Sequence, residues 1–511
     1  MFGLPRILIV YAIAIPLALV LGYAVSNGLS TPGDETNFLM VGLVLFVLAL
    51  PILLKWHHIM LIFFWNAAFM FPFLPAQPQI WLLLAVLSFG ISWLNGLLGG
   101  GKFLRVPELT RPLVFLGIVV LLTGCFRGGI GARVFGSSSY GGRAYFYILG
   151  PIFGYFALTA VRIPLAKASR AAGIYFLSGI TFVLSNLAFF LGPAFYFLFY
   201  ALPSSFVAGQ AEVESGRVPE AFERFNGFAP ACSAVVYYFL MRWGVRGIFS
   251  YAHPWRAVLF FLTLLLSLLG GFRGNVVMLV LILLCQLCLE GLWRTRFLAI
   301  TLGFGVLAGV MVFAFSDQLP LAAQRAVSFL PVKVDPAVRA NAEDSLEWRL
   351  QMWQVLVPQI PKYLWLGKGY SIDPNELYFA MLGGGAGDIP AQASLVAGDY
   401  HNGPLSTLIP LGLWGMLGFL WLLGAGAKML YRNYRYGDPE LYNVNTFFLT
   451  FFIVQSVVFF TMFGAFNGQL CIFTGLLGLS VSINGGMRKP GPVVARATGS
   501  AIIQAPVSIA V

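Results

Sequence analysis

The sequence predicts an all-α, polytopic transmembrane helix bundle of about 12–14 spans with one large, partly helical extracytoplasmic loop. Three observations lead there: a composition too apolar for water, apolar runs that are continuous rather than alternating, and an uneven distribution of lysine and arginine. Of 511 residues, 59% are hydrophobic and 10% charged, whereas a soluble domain carries roughly 25% charged residues. A water-exposed globule is excluded. Backbone groups in hydrocarbon must pair internally, which leaves helix bundles or closed barrels. Unbroken apolar runs point to helices, since barrel strands alternate with period two.

A span needs about 20 predominantly apolar residues. On that basis spans are expected near 7–25, 37–54, 58–75, 79–98, 111–126, 145–161, 172–191, 230–241, 255–271, 275–293, 297–316, 405–427, 445–465 and 467–484. The segment 193–203 reads as re-entrant or interfacial. The first run carries Arg6 but no small-residue cleavage site, so it reads as a retained span. With the N-terminus inside, the inner connections net +15 and the outer ones −3, which together make the formal +12 of the chain. The basic balance is thus a topology signal, and nucleic-acid binding is not needed to explain it. Both termini are expected in the cytoplasm.

The organisation follows: a bundle over 1–316, a large outer loop over 317–404, C-terminal spans over 405–484 and a Gly/Pro/Ala/Ser-rich disordered tail over 485–511. No inner connection is long enough for a nucleotide-binding domain and no GxxxxGK[ST] occurs, which argues against an ATP-driven pump. Cys285 and Cys288 have CxxC spacing but sit mid-helix without neighbouring ligands, and read as packed apolar residues. No metal site and no cofactor are expected.

Within the loop, Asn341–Pro361 reads as an amphipathic helix with Leu346, Leu350, Trp353, Val357 and Ile360 forming its apolar stripe. Asn341 or Asp344 is expected to cap it. Arg349 sits beside the stripe, and reads either as an interfacial arginine snorkelling to head groups or as part of a site. Leu366–Tyr370 forms a turn, and a glycine-rich stretch (LGGGAGDIP) precedes Asp399-Tyr400-His401-Asn402. His401 is the one histidine expected on the outer side. It lies at the membrane boundary beside Asp399, a carboxylate placed to orient its ring or raise its pKa. Arg273, in Gly271-Phe272-Arg273-Gly274, lies between two apolar runs. An arginine at that depth is either functional or the exposed tip of a tight hairpin. A smaller outer loop at 127–143 carries Arg127, Arg133 and Arg143 among Ser and Tyr, and suits either phosphate and sugar contacts or plain solvation.

Together these patches resemble the O-antigen ligase and O-antigen polymerase family of bacterial envelope glycosyltransferases. The matching features are Gly271-Phe272-Arg273-Gly274 opening a span; Arg349, Trp353 and Leu366-Gly367-Lys368-Gly369; and His401-Asn402 followed by Leu405, Leu408, Gly412 and Gly415. The resemblance covers about Trp255–Trp421. Phe272 departs from the serine common there, and the apolar runs outnumber the family's usual spans. The resemblance implies a bundle similar to the C-type glycosyltransferase architecture, in the bacterial inner membrane with its site on the periplasmic face. It implies a metal-independent transfer from a polyprenyl-diphosphate-linked glycan donor to a sugar hydroxyl on a glycan or lipid-linked acceptor. In that scheme Arg273 and Arg349 hold the diphosphate, His401 is the base, and Asp399, Asn402 and Arg143 assist binding. Phe189–Tyr200 would wall the polyprenyl tail. A transporter or flippase of lipid-linked glycans is the alternative from a different class, and it predicts broken helices in matched halves, which the sequence does not display.

Overall fold

The computed structural model describes residues 35–489 apart from 73, 75–76, 100–102, 132–140, 208–209, 211–223 and 373–397, with backbone only for 35–46. The expected span at 7–25, Arg133, the glycine-rich stretch at 382–390 and most of the tail lie outside the described residues.

The described residues form helices with no strand, and one isolated bridge joins Met70 to Gln79. In chain order the helices are α1 (Glu35–Phe64), α2 (Ile80–Leu97), α3 (Pro107–Arg127), α4 (Gly142–Thr159), α5 (Leu165–Leu177), α6 (Val183–Phe190), α7 (Phe228–Ile248), α8 (Trp255–Ser267), α9 (Arg273–Leu289) and α10 (Arg296–Phe315). The loop then contributes α11 (Leu321–Val327), α12 (Pro336–Leu356) and α13 (Ile360–Tyr363), before α14 (Gly403–Tyr436), α15 (Tyr442–Thr461) and α16 (Phe466–Asn484). Eight helical stretches among the described residues are long and apolar enough to cross a membrane, and α8 and α9 are shorter apolar helices. The protein is a polytopic helical membrane protein.

The expected boundaries shift in places, for identifiable reasons. The runs at 37–54 and 58–75 are not separate spans: α1 continues through Lys55, Trp56 and His57 to Phe64. Lys55 marks a charge, but no Gly or Asn there turns the chain. The described residues between 65 and 79 are irregular and are anchored instead by side chains, Asn66 Nδ2 donating to Tyr175 O and Thr181 Oγ1 accepting from Ala68 N. The run at 230–241 extends forward to Ile248 through a break at Gly244, where Glu290 accepts from the freed Val245 N–H at 2.8 Å. Residues 193–200 form a 3-10 helix with no buried residue, which suits an interfacial segment.

α16 is the centre of the bundle, buried along most of its length, whereas α10 faces outward almost throughout. Polar side chains hold the core together as they do between membrane helices: Asn445 and Asn484 exchange amide hydrogen bonds at 2.9 and 3.1 Å, and Thr450 Oγ1 donates to Gln286 Oε1 at 2.6 Å. This frame presents the described part of the 317–404 loop at one end of the bundle, against the starts of α9 and α14.

Candidate active site

The turn before α9 builds the first part of the site. Gly271 adopts φ +70°, a conformation glycine accepts without steric cost, and a Cβ there would stand 2.9 Å from Arg224 Cδ. Its carbonyl accepts from Arg325 Nη1 at 2.7 Å. Arg325 also donates to Asn341 Oδ1 at 2.8 Å and Ser345 Oγ at 2.9 Å, both on α12. Arg273, opening α9, donates through Nη2 to Ala342 O at 2.9 Å. Two arginines therefore bind α12 to the mouth of the bundle through neutral oxygens.

Those bonds set which face of α12 turns inward, and it is not the apolar stripe the sequence suggests. Val338, Ala342, Met352 and Leu356 are buried, and Arg349, seven residues from Ala342 and from Leu356, shares their side. Leu346, Leu350 and Val357 are about half exposed. Arg349 thus points toward the site instead of snorkelling outward. The helix also begins earlier than expected: Asp335 caps it, accepting from Ala337 N at 2.8 Å, with Pro336 in the first turn. Asn341 is not the cap but a partner of Arg325.

His401 stands across from this face. It holds φ +49°, a left-handed backbone uncommon outside glycine and of the kind that clusters at functional sites. Its ring meets Trp348 edge-on at 5.2 Å and Phe463 at 5.0 Å. The Arg349 guanidinium lies 5.6 Å from the Trp348 ring centre and 6.0 Å from that of Phe463, so the two aromatic rings are shared by imidazole and guanidinium. The segment is fixed from both sides. Trp353 Nε1 donates to Tyr400 O at 2.8 Å, and Tyr400 N donates to Ser406 Oγ at 3.3 Å. Beneath it Met352, Leu356, Tyr400, Leu405 and Ile409 form a small buried cluster.

The Leu366–Gly369 turn interlocks with a break in α14. Gly412 has φ +67° and ψ −165° inside that helix. Leu413 N, deprived of its helical partner Ile409 O, donates to Leu364 O at 2.6 Å, while Ile409 O accepts from Lys368 N at 2.7 Å and Pro410 O from Gly369 N at 2.9 Å. Arg127, at the end of α3, donates from Nε to Gly367 O at 2.9 Å.

Charge dominates the site. Burial first, and then the neighbouring Arg224, Arg273 and Arg349, push the Arg325 guanidinium down to about 9, still protonated at neutral pH. Burial and Arg273 lower Arg349, with Asp399 opposing. Burial lowers His401 below the ordinary histidine value, Asp399 opposing and Arg349 adding to it, which favours the uncharged ring. Among the described residues, His401 Nδ1 and Arg349 Nε are buried without a hydrogen-bond partner.

The structure brings Arg273, Arg349, His401 and Asp399 together. Of the two parts expected of Asp399, its charge does raise the His401 pKa against the lowering by burial, but it does not orient the ring: its carboxylate accepts from the backbone N–H of His401 at 3.3 Å. Asn402 caps α14, accepting from Leu405 N at 3.0 Å, because a helix start so close to the bilayer leaves backbone donors to satisfy. Arg143 stands over the Tyr147 ring at 5.3 Å, and no described contact joins it to the others. Sequence reading missed Arg325, Arg224, Trp348 and Phe463. Arg325 had a signal, an arginine within an apolar stretch; Phe463 had none, since it arrives from the turn between the last two helices.

No curated protein matches the chain significantly. Residues 257–420 match the family described as O-Antigen ligase, a stretch that holds Arg273, Arg325, Arg349 and His401 but neither Arg127 nor Phe463. Over that stretch the chain carries a domain of the O-antigen ligase family.

Proposed function

We propose that this protein is a glycosyltransferase of the ligase or polymerase type. It moves a glycan from a polyprenyl-diphosphate donor to a sugar hydroxyl, on the outer face of a bacterial inner membrane. The observation that carries the reading is a cluster of Arg273, Arg325 and Arg349, the last of them beside a His401 whose Nδ1 lacks a partner among the described residues. Crowded guanidiniums repel one another and are relieved by an anion, and their planar forks suit phosphate oxygens.

In the proposed reaction the acceptor oxygen forms a bond to the anomeric carbon as the bond from that carbon to the diphosphate oxygen breaks. The electron pair leaves with the polyprenyl diphosphate, whose added charge the arginines stabilise. His401 takes the hydroxyl proton and returns it to water. Trp348 and Phe463 offer aromatic faces on which a sugar ring packs.

The test is transfer by purified, reconstituted protein from a lipid-linked oligosaccharide, with and without a candidate acceptor, and in His401→Ala and Arg349→Ala. Ladders of longer lipid-linked glycan without acceptor identify a polymerase, and a single acceptor-dependent transfer identifies a ligase. Movement of the lipid between leaflets with no transfer overturns the reading in favour of a flippase.

A further inference from the structure

A second cationic groove lies at the opposite end of the bundle. α3 is 21 residues long, about 31 Å at 1.5 Å per residue, and its last residue, Arg127, touches the Gly367 turn beside the site described above. Its first turn, Pro107–Arg111, borders a groove of about 430 Å³ between α2, α4 and the 103–107 segment. A bilayer thickness therefore separates the two cationic regions.

The walls and the charges of this groove differ in kind. Phe89, Trp93, Phe103 and Phe156 line it, and so do the exposed Arg105 and Arg111. Phe89 packs within 6.3 Å of both Phe103 and Phe156, making a continuous aromatic wall, while Trp93 is 53% exposed at its edge. Glu108 lies between the arginines in sequence but does not line the groove. Among the described residues neither guanidinium has a recorded hydrogen bond or carboxylate partner. The 103–107 segment is held in place by backbone, Leu104 N donating to Thr159 O at 2.9 Å.

We infer that this groove binds one anionic phospholipid, a phosphatidylglycerol or cardiolipin, with its phosphate on Arg105 and Arg111 and an acyl chain along the aromatic wall. A soluble anion has no use for four aromatic rings, and an apolar ligand has none for two unpaired cations at the membrane boundary. A zwitterionic lipid would bring its own cation against both arginines. Basic pockets between membrane helices recognise acidic head groups by this combination.

The experiment uses the full-length protein in phosphatidylcholine nanodiscs containing a minor fraction of phosphatidylglycerol. Lipid retained by the protein is counted by native mass spectrometry, and Trp93 quenching by brominated phosphatidylglycerol or brominated phosphatidylcholine is compared, with Trp93→Phe giving the background. Wild type should retain phosphatidylglycerol preferentially and show the stronger Trp93 quenching with it. Arg105→Gln should lower that preference about fivefold, and Arg105→Gln with Arg111→Gln about thirtyfold, since each boundary cation contributes independently. Lysine at both positions should keep most of the preference, which separates lost charge from misfolding. Equal retention of both lipids by wild type overturns the inference, as does an unchanged preference in the double glutamine variant. Displacement of phosphatidylglycerol by a stoichiometric short-chain polyprenyl phosphate also overturns it, because the occupant is then a glycan carrier.

Discussion

Trp353 donates its indole N–H to the carbonyl oxygen of Tyr400 across 2.8 Å, joining residues 47 positions apart. The bond links the α12 helix, which carries Arg349, to the residue before His401. The Arg349 guanidinium and the His401 imidazole are thus held in register by one hydrogen bond and the small cluster beneath it. Trp353→Phe keeps much of the ring but removes the donor. Transfer should fall about tenfold to a hundredfold, the scale expected when a catalytic group is slightly misplaced. The check is the initial rate of glycan transfer at matched amounts of folded protein.

His401 sits at φ +49°, so alanine substitution disturbs the backbone as well as the chemistry. Asparagine tolerates that conformation and offers no base. His401→Asn should lose about a hundredfold to ten-thousandfold in transfer, the range for a general base. Its thermal midpoint should match wild type. A matching loss of stability would instead assign His401 a structural part.

The pH profile follows from the charges around the ring. Burial, chiefly, and Arg349 lower the His401 pKa, and Asp399 raises it. A base works when neutral, so activity rises as pH passes that pKa, and the acid limb should lie below the usual histidine value of about 6.5. Asp399→Asn removes the opposing negative charge, and the acid limb should move to still lower pH. A limb moving upward would contradict this placement of charge.

Pyrophosphate tests the arginine cluster without any glycan. A ligand that binds only the folded state stabilises it by about 2.7 kcal/mol at a hundred times Kd. Inorganic pyrophosphate should raise the wild-type thermal midpoint, and the rise should shrink in Arg349→Gln and in Arg325→Gln. Arg325→Gln should also lower the midpoint without ligand, because its guanidinium ties Gly271 to Asn341 and Ser345.

Gly412→Ala addresses the broken helix. A Cβ there would stand 2.8 Å from Gly367 N and 2.9 Å from Leu364 O, in a backbone conformation close to exclusive to glycine. The expected cost is about 3 kcal/mol or more, read as reduced accumulation of folded protein and a lower unfolding midpoint.

The membrane class was legible because hydrocarbon imposes its rule on every residue of a span, so composition alone carries it. Arg273, Arg349 and His401 were legible because each sits where a charge or imidazole is costly without a purpose. What escaped depended on contacts distant in sequence. The inward face of α12 is chosen by Arg273 and Arg325 bonding to Ala342, Asn341 and Ser345, and no periodicity within 341–361 reports that. The runs at 37–54 and 58–75 look separate because charge and chain reversal usually coincide, whereas α1 passes straight through Lys55. Asn402 lies within a motif beside His401, and its capping bond to Leu405 N is not distinguishable there from a ligand contact.

The exchange at Gly412 makes two distant changes a single event. When α14 is unwound there, Leu413 N–H and the Ile409 and Pro410 carbonyls have partners only because Leu364, Lys368 and Gly369 supply them. Withdraw the loop and those groups face an apolar surround, where each unsatisfied group costs several kcal/mol; straighten the span and the loop loses its seat. The bend in the span and the seat of the loop therefore depend on one another. Arg127 reaches the same junction from α3, so the end of that helix, the loop turn and the bent span share one set of backbone oxygens and amides.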